Sequence, residues 1–181
     1  MKLVEPIRDI AKIKLVKDIL KTNCRRDFIL FLIGINCGLR ISDILKLKVE
    51  DVLNQRYIKL KETKTGKLQC FPISKHLEKH IMEYISDKHP NEWLFNSKKY
   101  NHPITRVQAY RIIVNACKQA GILDNIGTHT LRKTFGYHFY KATKDIALLQ
   151  YIFNHSSPAI TLRYIGINQD LVNESLCSFE L

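Results

Sequence analysis

Several signatures that would settle a protein's class at a glance are missing from this 181-residue sequence. It has no C-x-x-C pair, no Gly-rich phosphate loop, no G-x-S-x-G elbow and no H-E-x-x-H run. Redox, nucleotide-driven, serine-hydrolase and simple zinc-protease readings therefore start without support. No apolar run approaches the roughly 18 residues of a membrane span, and Met1-Lys2-Leu3-Val4-Glu5-Pro6 leads straight into a charged amphipathic stretch, so neither membrane insertion nor secretion is expected. The five cysteines, Cys24, Cys37, Cys70, Cys117 and Cys177, are odd in number and widely spaced, which reads as reduced, mostly buried thiols in a cytoplasmic protein. Acidic residues are also scarce, seventeen against twenty-nine Lys and Arg.

That imbalance leaves a net charge of +12, and because the segment from Ile165 onward holds three acids and no Lys or Arg, residues 1–164 carry +15. So basic a body suits a polyanion, with nucleic acid the commonest. Charged residues at 25% and hydrophobic ones at 45% are ordinary for a folded chain, and the length suits one domain, 1–181, around one core.

Ile10, Ile13, Val16, Ile19 and Leu20 recur at helical spacing, and a second helix is expected from about Arg26 through the apolar run Phe28 to Ile35. Gly38 interrupts it, and Ile41 to Leu47 resumes as a short helix with Asp43 and Leu47 on the side of Arg40. Three β-compatible runs follow, Glu50 to Leu53, Tyr57 to Leu60 and Leu68 to Ile73, parted by Asn54-Gln55 and by Lys64-Thr65-Gly66-Lys67, and they predict a three-stranded antiparallel meander. Ser74 caps a helix bearing Leu77, Ile81 and Tyr84 that exits at Pro90 and Asn91. Further helices are expected at about 105–119, 130–141, 144–153 and 169–177. The fold class is α+β, mostly α, with one small sheet.

Three separated motifs carry the chemistry. In Gly38-Leu39-Arg40-Ile41-Ser42-Asp43, an Arg opens a short helix with an acid one turn on. Some ninety residues later, His129-Thr130-Leu131-Arg132 sets a His and an Arg on one helical face, where one phosphate can meet both. His155 is then followed nine positions on by Tyr164. Any one of these alone reads as a surface pair or a core residue.

In order and spacing the set resembles the catalytic domain of the tyrosine recombinases, or phage integrases, over about residues 7–177. The resemblance implies a site-specific recombinase that cleaves and rejoins double-stranded DNA through a 3′-phosphotyrosyl intermediate, without metal or other cofactor. It assigns Arg40, Lys64, His129, Arg132, His155 and Tyr164 as catalytic, Asp43 as their support, and Lys61, Lys67 and Lys133 as DNA contacts. Lys64 is chosen from three neighbouring lysines because Thr63-Lys64-Thr65-Gly66 matches the hairpin turn on which the family carries its catalytic Lys. Asn154 departs from the pattern, since members usually place Gly before the His. Asn tolerates the left-handed backbone a turn there requires better than other residues with a Cβ.

The family also usually has an N-terminal core-binding domain, and only a few residues precede the first helix here. The expectation is either a fragment of a longer integrase or a minimal one that a separate core-binding domain or accessory protein completes. Asn168 can cap a helix carrying Leu171, Val172, Leu176 and Phe179, so the tail, 165–181, is expected to dock on a neighbouring protomer, with docking on its own core as the alternative. Three other functions remain open: a type IB topoisomerase, which uses a similar site; a silent DNA-binding accessory of this fold; and a metal hydrolase built on His76 and His80. The last is weak, because Glu78 is out of register for H-E-x-x-H.

Overall fold

The computed structural model describes residues 4–63, 66–97, 101–167 and 176–177. Eight α-helices and one β-hairpin are formed among them: α1 (Ile10–Asn23), α2 (Arg25–Cys37), α3 (Ile41–Ile44), β1 (Tyr57–Lys61), β2 (Leu68–Pro72), α4 (Lys75–Ile85), α5 (Arg106–Gln119), α6 (Thr128–Thr143), α7 (Ile146–Phe153) and α8 (Pro158–Tyr164). Helix α2 is the axis of the core. Every residue from Phe28 to Gly34 is buried, so it is apolar all round, and α1, α4, α5 and α6 pack about it. Its approach to α6 requires Gly34, since a Cβ there would lie 2.4 Å from Leu131 Cδ1.

Local chemistry sets the helix starts. Asp9 Oδ1 accepts from Ala11 N at 2.7 Å at α1, Ser74 Oγ from Leu77 N at 3.2 Å at α4, and Thr105 forms a reciprocal capping box with Gln108 at α5. Helix α8 was not expected from periodicity. Its signal was nonetheless there: Ser157 caps Ile160 N at 3.3 Å and Pro158 occupies the first turn, where its missing N–H costs nothing.

The meander has two strands rather than three. β1 and β2 pair antiparallel from Tyr57 opposite Pro72 to Lys61 opposite Leu68, burying Ile58 and Phe71 on one face. The first run, Glu50 to Leu53, instead enters a 3₁₀ turn at Val49–Asp51, held by Lys48 N donating to Asp51 Oδ2 at 2.8 Å. Val49 and Val52, both buried, are three residues apart, a helical repeat rather than the two-residue repeat of a strand. Of the cysteines only Cys37 and Cys117 are buried, their thiols pushed up to about 12 by burial, while Cys70 and Cys177 are exposed, so the thiols are less buried as a group than expected.

A second, smaller core joins α6, α7 and α8 around Leu149, Phe153 and Ile165. Gly136 permits it, since a Cβ there would meet Phe153 and Ile165 at 2.7 Å. This cluster seats Tyr164.

Candidate active site

Helix α2 ends at Gly38, whose φ of 62° turns the chain back left-handed; a Cβ would lie 2.4 Å from Phe135 Cδ1. The reversal delivers Arg40 as the N-cap of α3, with extended backbone. In the structure the two members of this motif take different partners. Arg40 Nη1 donates to Glu62 Oε1, a carboxylate buried completely at the end of β1. Asp43, also buried, accepts from Thr63 N at 3.1 Å and Thr63 Oγ1 at 2.6 Å. The support expected of Asp43 therefore reaches the hairpin, and Arg40 is held by Glu62, which motif reading missed. The available signal was an acid beside the hairpin turn in an otherwise basic segment.

The expected single face for His129 and Arg132 is present on α6. Arg132 is 2% exposed, and its two terminal nitrogens donate to the carbonyls of Gly38 and Phe153, the latter at 3.1 Å. The guanidinium also stacks 4.3 Å from the centre of the Phe153 ring and donates to Tyr164. Burial, before all else, brings its pKa down to about 10, which leaves it charged at neutral pH. His129 Nδ1 lies 3.3 Å from Tyr164 Oη. Burial and then the Arg132, Arg106, Lys133 and Arg40 charges lower the His129 pKa, so at neutral pH the imidazole can accept a proton.

Helix α7 ends on Asn154 at φ 53°, ψ 47°, the left-handed turn anticipated at this departure from glycine. His155 follows, its ring 5.1 Å from that of Tyr164 and its Nδ1 3.1 Å from Thr161 Oγ1. The Thr161 hydroxyl also lies 3.2 Å from Ser157 O, and its one proton can serve only one of these two acceptors.

Tyr164 ends α8, its ring edge-on to Phe153 at 5.5 Å. Burial raises the phenol pKa, and Arg132, through charge and hydrogen bond, and Arg40 oppose that. Arg40, His129, Arg132 and His155 thus come together around Tyr164.

The expected lysines fare differently. Lys64 lies outside the described residues. Lys61 is exposed on β1, and Lys67 Nζ donates to Asn154 Oδ1 at 2.7 Å, tying the hairpin to the turn before His155. Lys133 is only 6% exposed, with Nζ 5.2 Å from the centre of the Tyr164 ring. It does not face solvent, so its place as a surface DNA contact is withdrawn. Of the tail positions, Asn168, Leu171, Val172 and Phe179 lie outside the described residues, and Leu176 is exposed. His76 and His80 stack on each other, and His80 also packs edge-on against Phe28; among the described residues no cluster of three His, Cys, Asp or Glu could hold a metal ion.

The sequence matches the phage integrase family over residues 11–170, and the chain belongs to that family. Among relatives, it is 54% identical over 170 residues to the probable integrase/recombinase YoeC of Bacillus subtilis, covering 94% of this chain and 93% of that protein. It is 30% identical over 146 residues to a tyrosine recombinase of Pseudothermotoga lettingae, covering 79% of this chain but half of that longer protein. The fold is that of the XerA recombinase crystal structure, with a TM-score of 0.80 at 22% identity, over all of this chain and 68% of that one. XerH bound to a palindromic difH substrate gives 0.72 at 20% identity, over 98% and 54%.

Proposed function

We propose that this chain is a site-specific DNA recombinase that cleaves one strand with Tyr164 and rejoins it to another. The observation that carries this is the Tyr164 hydroxyl, within reach of a neutral His129 and a cationic Arg132, with Arg40 and His155 beside them. A free phenol at pH 7 is about 4 kcal/mol short of its phenolate, so attack needs a proton acceptor and nearby positive charge. His129 takes the proton, while Arg132 and Arg40 stabilise the negative charge on oxygen and then on the phosphate.

The phenolate oxygen attacks phosphorus, the bond to the DNA 5′-oxygen breaks, and Lys64 gives that oxygen its proton. A 3′-phosphotyrosyl bond and a free 5′-hydroxyl result, and a 5′-hydroxyl from another strand reverses the step. Two guanidinium groups supply the charge a divalent cation would otherwise bring, so the reaction runs without metal. Double-stranded DNA is the partner, Lys61 and Lys67 contact its backbone, a separate clamp half or accessory protein embraces its far side, and the tail docks on a neighbouring protomer. No described helix is long and apolar enough to cross a membrane, and we place the protein in the cytoplasm with its substrate.

The test is a nicked suicide duplex that traps cleavage as a covalent adduct surviving denaturation. The wild type yields the adduct in the presence of EDTA, and Tyr164→Phe binds DNA without forming it. An adduct from the Phe variant sinks the assignment.

A further inference from the structure

Lys133 is an unusual residue to find buried, because a solvated ammonium loses its water there and nothing in α6 neutralises it. What lies against it explains the position. On one side is the ring of Tyr164, with Nζ 5.2 Å from its centroid. The negative charge acting on it comes from Glu5, in the segment before α1, which favours the ammonium against burial while Arg8 opposes it. That segment is itself fastened: Ile7 N donates to Thr134 Oγ1 at 2.9 Å, His138 Nε2 lies 2.9 Å from Ile7 O, and Arg8 Nη2 bonds both Glu5 Oε2 at 2.7 Å and Gly166 O at 3.3 Å. Residues 5–8 therefore strap α6 to the turn just beyond Tyr164.

We propose that Lys133 is a positioning residue for Tyr164, its ammonium fixing the phenol ring from the face and favouring the phenolate during strand cleavage. The proposal rests on the reading of Tyr164 as nucleophile. A cation over an aromatic face is attracted by the ring's electron density, and a phenolate, whose charge spreads into the ring, attracts it more than a phenol does. Lys133 thus works on the ring while Arg132 and Arg40 act at the oxygen, and the proton leaves to His129 without passing through the lysine. The charged and titratable groups around Tyr164 are His129, Arg132 and Lys133 from α6, Arg40 before α3 and His155 before α8. Those around Lys133 are Glu5, Arg8 and Tyr164.

The test introduces 3-fluorotyrosine at position 164 of the full chain and follows its titration by fluorine NMR, alongside suicide-duplex cleavage from pH 6 to 9.5. In Lys133→Met the phenol titrates about one unit higher and adduct forms about tenfold more slowly at neutral pH. Because loss of the cation raises the phenol pKa, the rise of rate with pH moves to higher pH. Lys133→Arg restores most of both, and DNA affinity is unchanged throughout. Lys133→Gln, neutral but able to hydrogen-bond, gives the same shift and serves if the Met variant does not fold. A titration unmoved in the neutral variants overturns the proposal. So does a loss of DNA affinity with the salt slope smaller by about one, which would make Lys133 a phosphate contact. If the wild type itself forms no adduct, the nucleophile assignment fails, and the fluorine titration still decides whether Lys133 acts on the phenol.

Discussion

Replacing Glu62 with Ala removes a carboxylate that is wholly buried and leaves the Arg40 guanidinium, 16% exposed, facing an apolar gap. Removing one partner of a buried ion pair costs about 3–5 kcal/mol, because the surviving charge has lost its water and gained nothing. Arg40 retains some solvent, so the lower end, about 3 kcal/mol, is expected, and in a domain of this size that lowers Tm by about 6–12 °C. Glu62→Gln keeps an acceptor for Arg40 Nη1 without the charge, and should fall between wild type and Ala. Calorimetry on the three proteins reads the stability ranking. Adduct formation on the suicide duplex, measured at a temperature where all are folded, reads the placement of Arg40: the Ala variant loses rate while DNA affinity holds. Three proteins that melt within a degree or two of one another and cleave at the same rate would refute the claim that Glu62 holds Arg40.

Lys64→Ala should lose cleavage of ordinary DNA yet cleave a substrate with sulfur in place of the bridging 5′-oxygen, since a thiolate departs without a proton, and Arg132→Ala should not be rescued by it. Equal rescue of both would refute the division of labour. Gly38→Ala places a Cβ at φ 62° and 2.4 Å from Phe135, so it should cost about 2 kcal/mol or more and slow cleavage as the carbonyl that receives Arg132 shifts. An unchanged melting temperature would contradict that account.

Much of this was legible in the residues because it depends on local chemistry. The left-handed turn at Asn154 and the cap at Ser74 follow from backbone preference and local chemistry, while the convergence of His129 and Arg132 with Tyr164 is what the resemblance of their motifs implies. What escaped was decided by partners distant in the chain. Asp43 is three residues from Arg40 and the obvious mate, yet Arg40 pairs with Glu62. Lys133 follows Arg132 and reads as a second cation for DNA, yet it is buried with its Nζ over the Tyr164 ring, 31 positions later. The run Glu50 to Leu53 sits among β-compatible runs, but Asp51 accepts from Lys48 N and closes a turn first.

The hairpin connects these distant parts. Glu62 grips Arg40, Thr63 grips Asp43, and Lys67 grips Asn154 at the turn before His155, so the residues flanking position 64 hold both the first arginine motif and the last histidine motif. Lys46 Nζ adds a fourth tie, donating to Thr63 Oγ1 at 3.1 Å. The chain separates these two motifs by more than a hundred residues, and α2 and α6 alone would not fix the distance between their side chains. A general acid must meet the leaving oxygen within hydrogen-bond reach while two guanidinium groups hold the same phosphate. Anchoring the hairpin to both motifs makes the placement of Glu62, Thr63 and Lys67 depend on theirs, so one set of bonds ties Arg40 and Asp43 to the turn before His155.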